Sequence, residues 1–179
     1  MRKVLYIFGL LADADIAWIA KTGIQTRLRD GDVLIREGEQ TDALIIVLDG
    51  AIVASNRTLG QFARMGIGEI VGEMSLVDSA PPSATITASG NGLALLLNKE
   101  QLLQKLAADN GFSSRFYRAL AVFLADRLRD ARRTPGNSAL GETVIATDEI
   151  DVGILDQVSN AGERFNQMLT TLSRAGPAI

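Results

Sequence analysis

The chain has no cysteine and no histidine. Without thiols there is no disulfide and no thiolate metal site, and without imidazole there is no Ser-His-Asp or Cys-His catalysis and no histidine-ligated haem. Lysine is scarce as well: Lys3, Lys21, Lys99 and Lys105 are the only ones, so a lysine base for Ser75, Ser79 or Ser83 as nucleophile is hard to place. Glu37 and Glu39 flank Gly38 in a turn signal, a solvated setting with nothing to shift a carboxyl toward acid–base work. No run approaches the roughly 20 apolar residues of a membrane span. A broad basic field is also missing, because 18 Lys and Arg against 21 Asp and Glu leave a net charge of -3, which disfavours a polyanion as partner. These absences lead us to expect no enzyme, no resident metal or cofactor, no membrane contact and no direct nucleic-acid contact.

What is present suffices for a core. The 179 residues, 47% of them hydrophobic, fit one compact domain with an appendage. Met1-Arg2-Lys3 followed by apolar Val4 to Ala12 imitates a secretion signal, but Asp13 and Asp15 follow without a small-x-small cleavage site, so the chain reads as soluble and cytoplasmic. Residues 13 to 22 read as a short amphipathic helix with Asp13 or Asp15 as its cap. From residue 24 short apolar runs take over: Val33 to Ile35, Leu44 to Leu48, Ile52 to Ala54, Ile86 to Ala88 and Leu93 to Leu97, the last expected strand. Turn signals such as Asp30-Gly31, Glu37-Gly38 and Asp49-Gly50 separate them, as in an antiparallel barrel or jelly roll. After Asn98 a helical period returns, first in Leu102, Leu103 and Leu106, then in a helix of about 20 residues carrying Phe112, Phe116, Leu120, Phe123, Leu124 and Leu128. Thr134-Pro135-Gly136 ends it. Three segments result: a domain at 1–133, a small-residue linker at 134–147 and a helical appendage at 148–179. Asp148 would cap that last helix, whose stripe runs from Ile150 through Phe165, Met168 and Leu169 to Leu172.

The segment Gly72-Glu73-Met74-Ser75-Leu76, four further residues, then Pro81-Pro82-Ser83-Ala84-Thr85 has the layout of an anion-cradling turn, in which a helical turn presents free backbone N–H groups. It resembles the phosphate-binding cassette of the cyclic nucleotide-binding domain family, of the kind found in cyclic-AMP receptor proteins. Asp15 to Ala20, Leu28 to Glu39 and Ala43 to Gly50 resemble the helix and first strands of that family, in family order, and the match spans about residues 10 to 133. The fold implied is mainly β with flanking helices: an antiparallel jelly-roll β-barrel of the cyclic nucleotide-binding type plus C-terminal helices. The resemblance implies a ligand, cAMP or cGMP, and a ligand site at Gly72, Glu73, Met74, Ser75, Pro82, Ser83 and Ala84. By position, Glu73 takes the ribose-binding role, and the Ser83 hydroxyl is placed for the phosphate.

One departure weakens that site. Pro82 stands where the family carries its arginine, and proline offers neither charge nor N–H. Three readings stay open: another cation, Arg64 or an arginine of the long helix, replaces the missing one; a different small molecule binds; or the cassette only closes the barrel, with Met74 and Leu76 packed inward. The long helix carries Arg115, Arg118, Arg127, Arg129, Arg132 and Arg133 beside Asp126 and Asp130, and its basic face reads as solvated, paired locally at helical spacing. In related regulators this helix lies over the ligand and packs against its mate in a homodimer, which makes Phe116, Leu120, Phe123 and Leu124 candidate interface or lid residues, with core packing as the competing reading. Beyond residue 133 such regulators continue with a winged helix-turn-helix. Here the segment is acidic, with Arg164 and Arg174 against Glu142, Asp148, Glu149, Asp151, Asp156 and Glu163, so it is read as docking on the domain or on a protein partner. The resulting expectation is a non-enzymatic, bacterial-type regulatory module that relays ligand binding through its C-terminal helices. The alternative is a degenerate barrel serving as an oligomerisation or partner-binding scaffold.

Overall fold

The structure, a computed structural model, describes residues 8–78, 80–133, 162, 164 and 166–170. After a helical turn at residues 8–10 come α1 (Asp13–Thr22), β1 (Ile24–Leu28), β2 (Val33–Ile35), β3 (Ala43–Asp49), β4 (Ile52–Asn56), β5 (Gly60–Met65), β6 (Ile70–Val71), α2 (Met74–Val77), β7 (Thr85–Ala88), β8 (Gly92–Asn98), α3 (Lys99–Ala108) and α4 (Asn110–Arg133). The strands form two four-stranded antiparallel sheets, ordered β1-β8-β3-β6 and β2-β7-β4-β5. This is an antiparallel β-fold with flanking helices, of the jelly-roll kind.

Sequence alternation explains where the two cores lie. Along β3, Ile45 and Val47 point between the sheets, where they join Leu28, Ile52, Val71 and Ile86. Leu44, Ile46 and Leu48 point to the opposite face and join the helices, as the two-residue period of a strand requires. Both faces of β3 are therefore covered, so its apolar run is continuous rather than alternating. The outer core combines Ile16, Ile19 and Ala20 of α1, Leu102 and Leu106 of α3, and Phe112, Phe116, Ala119, Leu120 and Phe123 of α4. Between β3 and β4 the chain turns at Gly50 with φ 81°, where a Cβ would come within 2.7 Å of the Asn91 carbonyl oxygen; only glycine fits there.

Three expectations change. Neither Asp13 nor Asp15 caps α1: Ala12 holds the cap position, and Asp15, in the first turn, accepts its N–H at 2.8 Å. Phe116, Leu120 and Phe123 are 6%, 4% and 1% exposed because they face the sheet, so they take the core side of the two readings offered for them; Leu124 is only half-buried. The arginines of α4 are not all paired locally, since Arg115 meets Asp15 across to α1, at 2.6 Å from Nε to Oδ2 and 2.9 Å from Nη2 to Oδ1. The linker at 134–147 and the proposed cap Asp148 lie outside the described residues. Of the final stripe, Met168 is 1% exposed in the outer core with Leu169 packed against it, while Phe165 is also outside the described residues. Arg164 fixes this segment to the start of the chain. Its Nε donates to Asp13 Oδ1 at 2.8 Å, and its Nη1 donates to the carbonyls of Leu11, Gly9 and Phe8 at 2.9, 3.2 and 3.4 Å.

Candidate functional site

The cassette begins where β6, paired to β3 through Ile46↔Ile70 and Ile45↔Val71, runs into Gly72. That residue has φ 85°, and a Cβ there would lie 2.6 Å from the Ala43 carbonyl oxygen; the chain reverses here only because no side chain stands in the way. The four residues of α2 follow. Pro81 and Pro82 then bring the chain back to β7. This return is stapled from below, since Gly38 N–H donates to the Pro82 carbonyl at 2.8 Å and Glu37 N–H to Thr85 Oγ1 at 3.1 Å.

All seven residues expected from sequence, Gly72, Glu73, Met74, Ser75, Pro82, Ser83 and Ala84, line one cavity of about 180 Å³. Its apolar walls come from the strand core through Ile35, Val71 and Ile86, and α4 reaches into it with Arg127. Glu73 is 3% exposed and pairs with Arg127 through Oε1 and Nη1 at 2.5 Å. Arg127 also sets Nη2 3.9 Å from Met65 Sδ and lies 5.5 Å from the centre of the Phe123 ring. Burial raises the Glu73 carboxyl above its ordinary value, and the Arg127 charge offsets only part of that.

Of the two sources of a replacement cation considered from sequence, the long helix does place an arginine, Arg127, in the cavity. Arg64 lies elsewhere: it donates to Ser89 Oγ at 2.5 Å and is absent from the cavity wall. Met74 is 53% exposed at the rim, so of the pair expected to pack inward only Leu76, at 8%, does so. Glu37 and Glu39 stand apart. Glu37 Oε2 accepts Arg57 N–H at 3.0 Å and Glu39 meets Arg36 at 4.0 Å.

Sequence reasoning missed Lys99. It is 8% exposed at the start of α3, where its Nζ donates to the Thr41 carbonyl at 2.8 Å and to Ser75 Oγ. The Ser75 hydroxyl in turn donates to the Gly72 carbonyl at 3.2 Å. Burial lowers the Lys99 ammonium below its ordinary value, with Asp42 and Glu73 acting the other way. The lysine thus pins α2 to the β8–α3 junction from behind. Its sequence signal was weak: a basic residue at a helix start, against the helix dipole, with no partner nearby in sequence. Among the described residues no group of three or more acidic side chains is arranged to hold a metal, and no helix is long and apolar enough to cross a membrane.

A glycine-led cassette between two β-strands of a jelly roll is the fold the sequence resemblance implied; an arginine of α4 against its glutamate belongs to one of the three readings left open there. The family comparison decides the matter: residues 25–109 match the model of the cyclic nucleotide-binding domain. Over residues 25–109 the chain is a domain of that family. Among curated proteins, the domain is 30% identical over 69 residues to the cAMP-dependent protein kinase regulatory subunit of Candida albicans, a match that takes in 38% of this chain and 15% of that protein. Among solved structures it superposes on a cyclic nucleotide-binding domain from Methylobacillus flagellatus with a TM-score of 0.67 at 24% identity, over 79% of this chain and 85% of that one. The N-terminal domain of a transcriptional regulator from Streptomyces coelicolor gives 0.59 at 28% identity, over 76% and 99%. The catabolite activator protein of Thermus thermophilus gives 0.60 at 22%, over 96% and 88%. The fold is that of these regulatory domains.

Proposed function

We propose that this chain is a cytoplasmic, non-enzymatic regulatory module that binds a cyclic nucleotide, cAMP or cGMP, or a related small phosphate ligand in the Glu73 cavity and relays the binding through α4 and the C-terminal segment. The observation that carries this reading is the convergence of all seven cassette residues and a long-helix arginine on one cavity. A buried, ion-paired glutamate with acceptor capacity left over suits a ribose hydroxyl. The relay has a physical route, because α4 reaches the cavity through Arg127 while its aromatic residues share the outer core with Met168. Ligand would shift a two-state equilibrium only through different contacts in the two states, and Glu73 and Arg127 are the side chains that would gain such contacts.

Self-association as a homodimer belongs to the same proposal, with a changed register. Tyr117 and Leu128 are 41% and 57% exposed. With Ala121 and half-buried Leu124 they stand at alternating four- and three-residue steps, the spacing of a coiled-coil seam. A partner protein, rather than nucleic acid, would receive the signal.

The test is thermal unfolding of the full chain with a panel of cyclic mono- and dinucleotides at millimolar concentration. A ligand at about 100 times its dissociation constant adds about 2.7 kcal/mol, which raises the midpoint by roughly 5–10 °C at this size. A shift for one nucleotide is the expected result. No shift across the panel would overturn the reading and leave the barrel as a scaffold.

A further inference from the structure

We propose that Arg127, on the relay helix, supplies the counter-charge for the ligand's anionic group that Pro82 cannot, so that this chain reads ligand charge through α4 and not through the cassette. The inference rests on the ligand-binding reading above and assigns its specificity-determining residue.

The argument is a census of charge around one cavity. Among the described residues its wall carries two carboxylates, Glu73 and Asp78, and one cationic side chain, Arg127. A phosphate entering beside two acids needs a cation within a few ångströms, since like charges in a partly dry site repel strongly. Pro82 contributes no donor, and its carbonyl is already engaged by Gly38 N–H. The buried ammonium of Lys99 is directed at Thr41 and Ser75 behind α2 and does not line the cavity. Arg64 is held at Ser89.

Arg127 has the right chemistry for a shared role. A guanidinium presents its N–H donors as a planar fork. Nη1 holds Glu73, while among the described residues Nη2 faces a thioether, a weak acceptor that an anion displaces readily. The Phe123 ring lies 5.5 Å from the guanidinium carbon, which fixes the fork without using its donors. An anion on the Nη2 side would therefore leave the Glu73 bond in place, and Glu73 would keep its second oxygen for a ribose hydroxyl. One consequence sets this arrangement apart from a cassette arginine. The residue that recognises the charge belongs to the element that transmits the signal, so weakening one weakens the other.

The test is calorimetric titration of the full chain with cyclic AMP and cyclic GMP, each compared with its phosphate-free nucleoside, adenosine or guanosine. Wild type is expected to prefer the cyclic nucleotide by at least about tenfold, the worth of one charged hydrogen bond. Arg127→Gln should erase that preference by weakening the cyclic nucleotide about ten- to a hundredfold while nucleoside affinity stays level. Arg127→Lys should keep part of the preference. Pro82→Arg placed on Arg127→Gln should restore it, which also shows that the double variant folds and that the rest of the cavity is intact. If Arg127→Gln binds the cyclic nucleotide as wild type does, or loses nucleotide and nucleoside equally, the assignment to Arg127 is wrong although the cavity remains a ligand site. If wild type binds no cyclic nucleotide, the ligand-binding reading itself falls, and this inference with it.

Discussion

Arg115 and Arg127 lie about three turns apart on α4, and each reaches a buried carboxylate from a distant part of the chain, Asp15 at one end and Glu73 at the other. The side chains of Asp15 and Glu73 are almost equally hidden from solvent, yet their acidities move in opposite directions. Burial works against ionisation at Asp15, but the two-pronged bond from Arg115 and the Ala12 N–H overcome it and hold the carboxyl below its ordinary value of 3.8. At Glu73 burial prevails over a single arginine contact, and the carboxyl is raised above 4.5. Depth of burial and donors act together here: Asp15 is enclosed less deeply than Glu73 and is met by more donors. One end of α4 is a finished joint. The other keeps donors and acceptors in reserve.

If the Asp15 end is the fixed one, emptying its ring stack should give the largest loss. Phe112 is fully buried, 5.5 Å from Trp18 and 5.7 Å from Phe116 between ring centres. Phe112→Ala should cost about 3–5 kcal/mol, read as a lower midpoint in urea unfolding with unchanged slope. Asp15→Asn comes next, at about 2 kcal/mol for a charge-assisted, two-pronged bond, on the same assay. Glu73→Gln should stay within about 1 kcal/mol of wild type, because it removes a charge whose burial was costly and leaves Arg127, 32% exposed, within reach of water. A loss at Glu73→Gln as large as that at Asp15→Asn would erase the contrast between the two ends.

The smallest effect sharpens the comparison through pH. A carboxyl with a depressed folded value stabilises the protein above its unfolded value, and that stability is lost as pH falls below about 3.8. A carboxyl with a raised folded value does the reverse: its penalty is complete above the folded value and vanishes as pH falls toward 4.5. Stability should therefore rise slightly as pH drops toward 4.5 and then fall below 3.8. Melting curves across that range check both limbs: Glu73→Gln should flatten the upper one and Asp15→Asn the lower one.

How much of this was legible depended on whether a segment's neighbours are close in sequence. The expected run Leu44 to Leu48 lies inside β3, Ile52 to Ala54 inside β4 and Leu93 to Leu97 inside β8, because buried strands announce themselves as apolar runs. The strand β5, Gly60–Met65, was not recognised: Gly60, Gln61 and Phe62 are exposed and only Met65 is buried, so burial left almost no pattern to read. The two residues of β6 are too few for any period. The cassette was visible as a local motif. Its partner was not, since nothing along α4 says which of six arginines faces a glutamate 54 positions earlier. That choice is made by the packing of Phe116, Leu120 and Phe123 onto the sheet, which fixes the rotation of the helix and turns Arg127 to the cavity. Lys99 escaped for the same reason, as its partners Thr41 and Ser75 lie 58 and 24 positions away.

Arg164 carries a different lesson, about tolerance to mutation. Three of its four acceptors near the start of the chain are main-chain carbonyls, those of Phe8, Gly9 and Leu11. Every residue type supplies such an oxygen, so exchanging those side chains does not delete the acceptors. A single change at position 164 removes all four bonds together. Genetic variation can delete the whole joint only at position 164, whereas changes at Phe8 and Leu11, both fully buried, act through the core and not through these bonds.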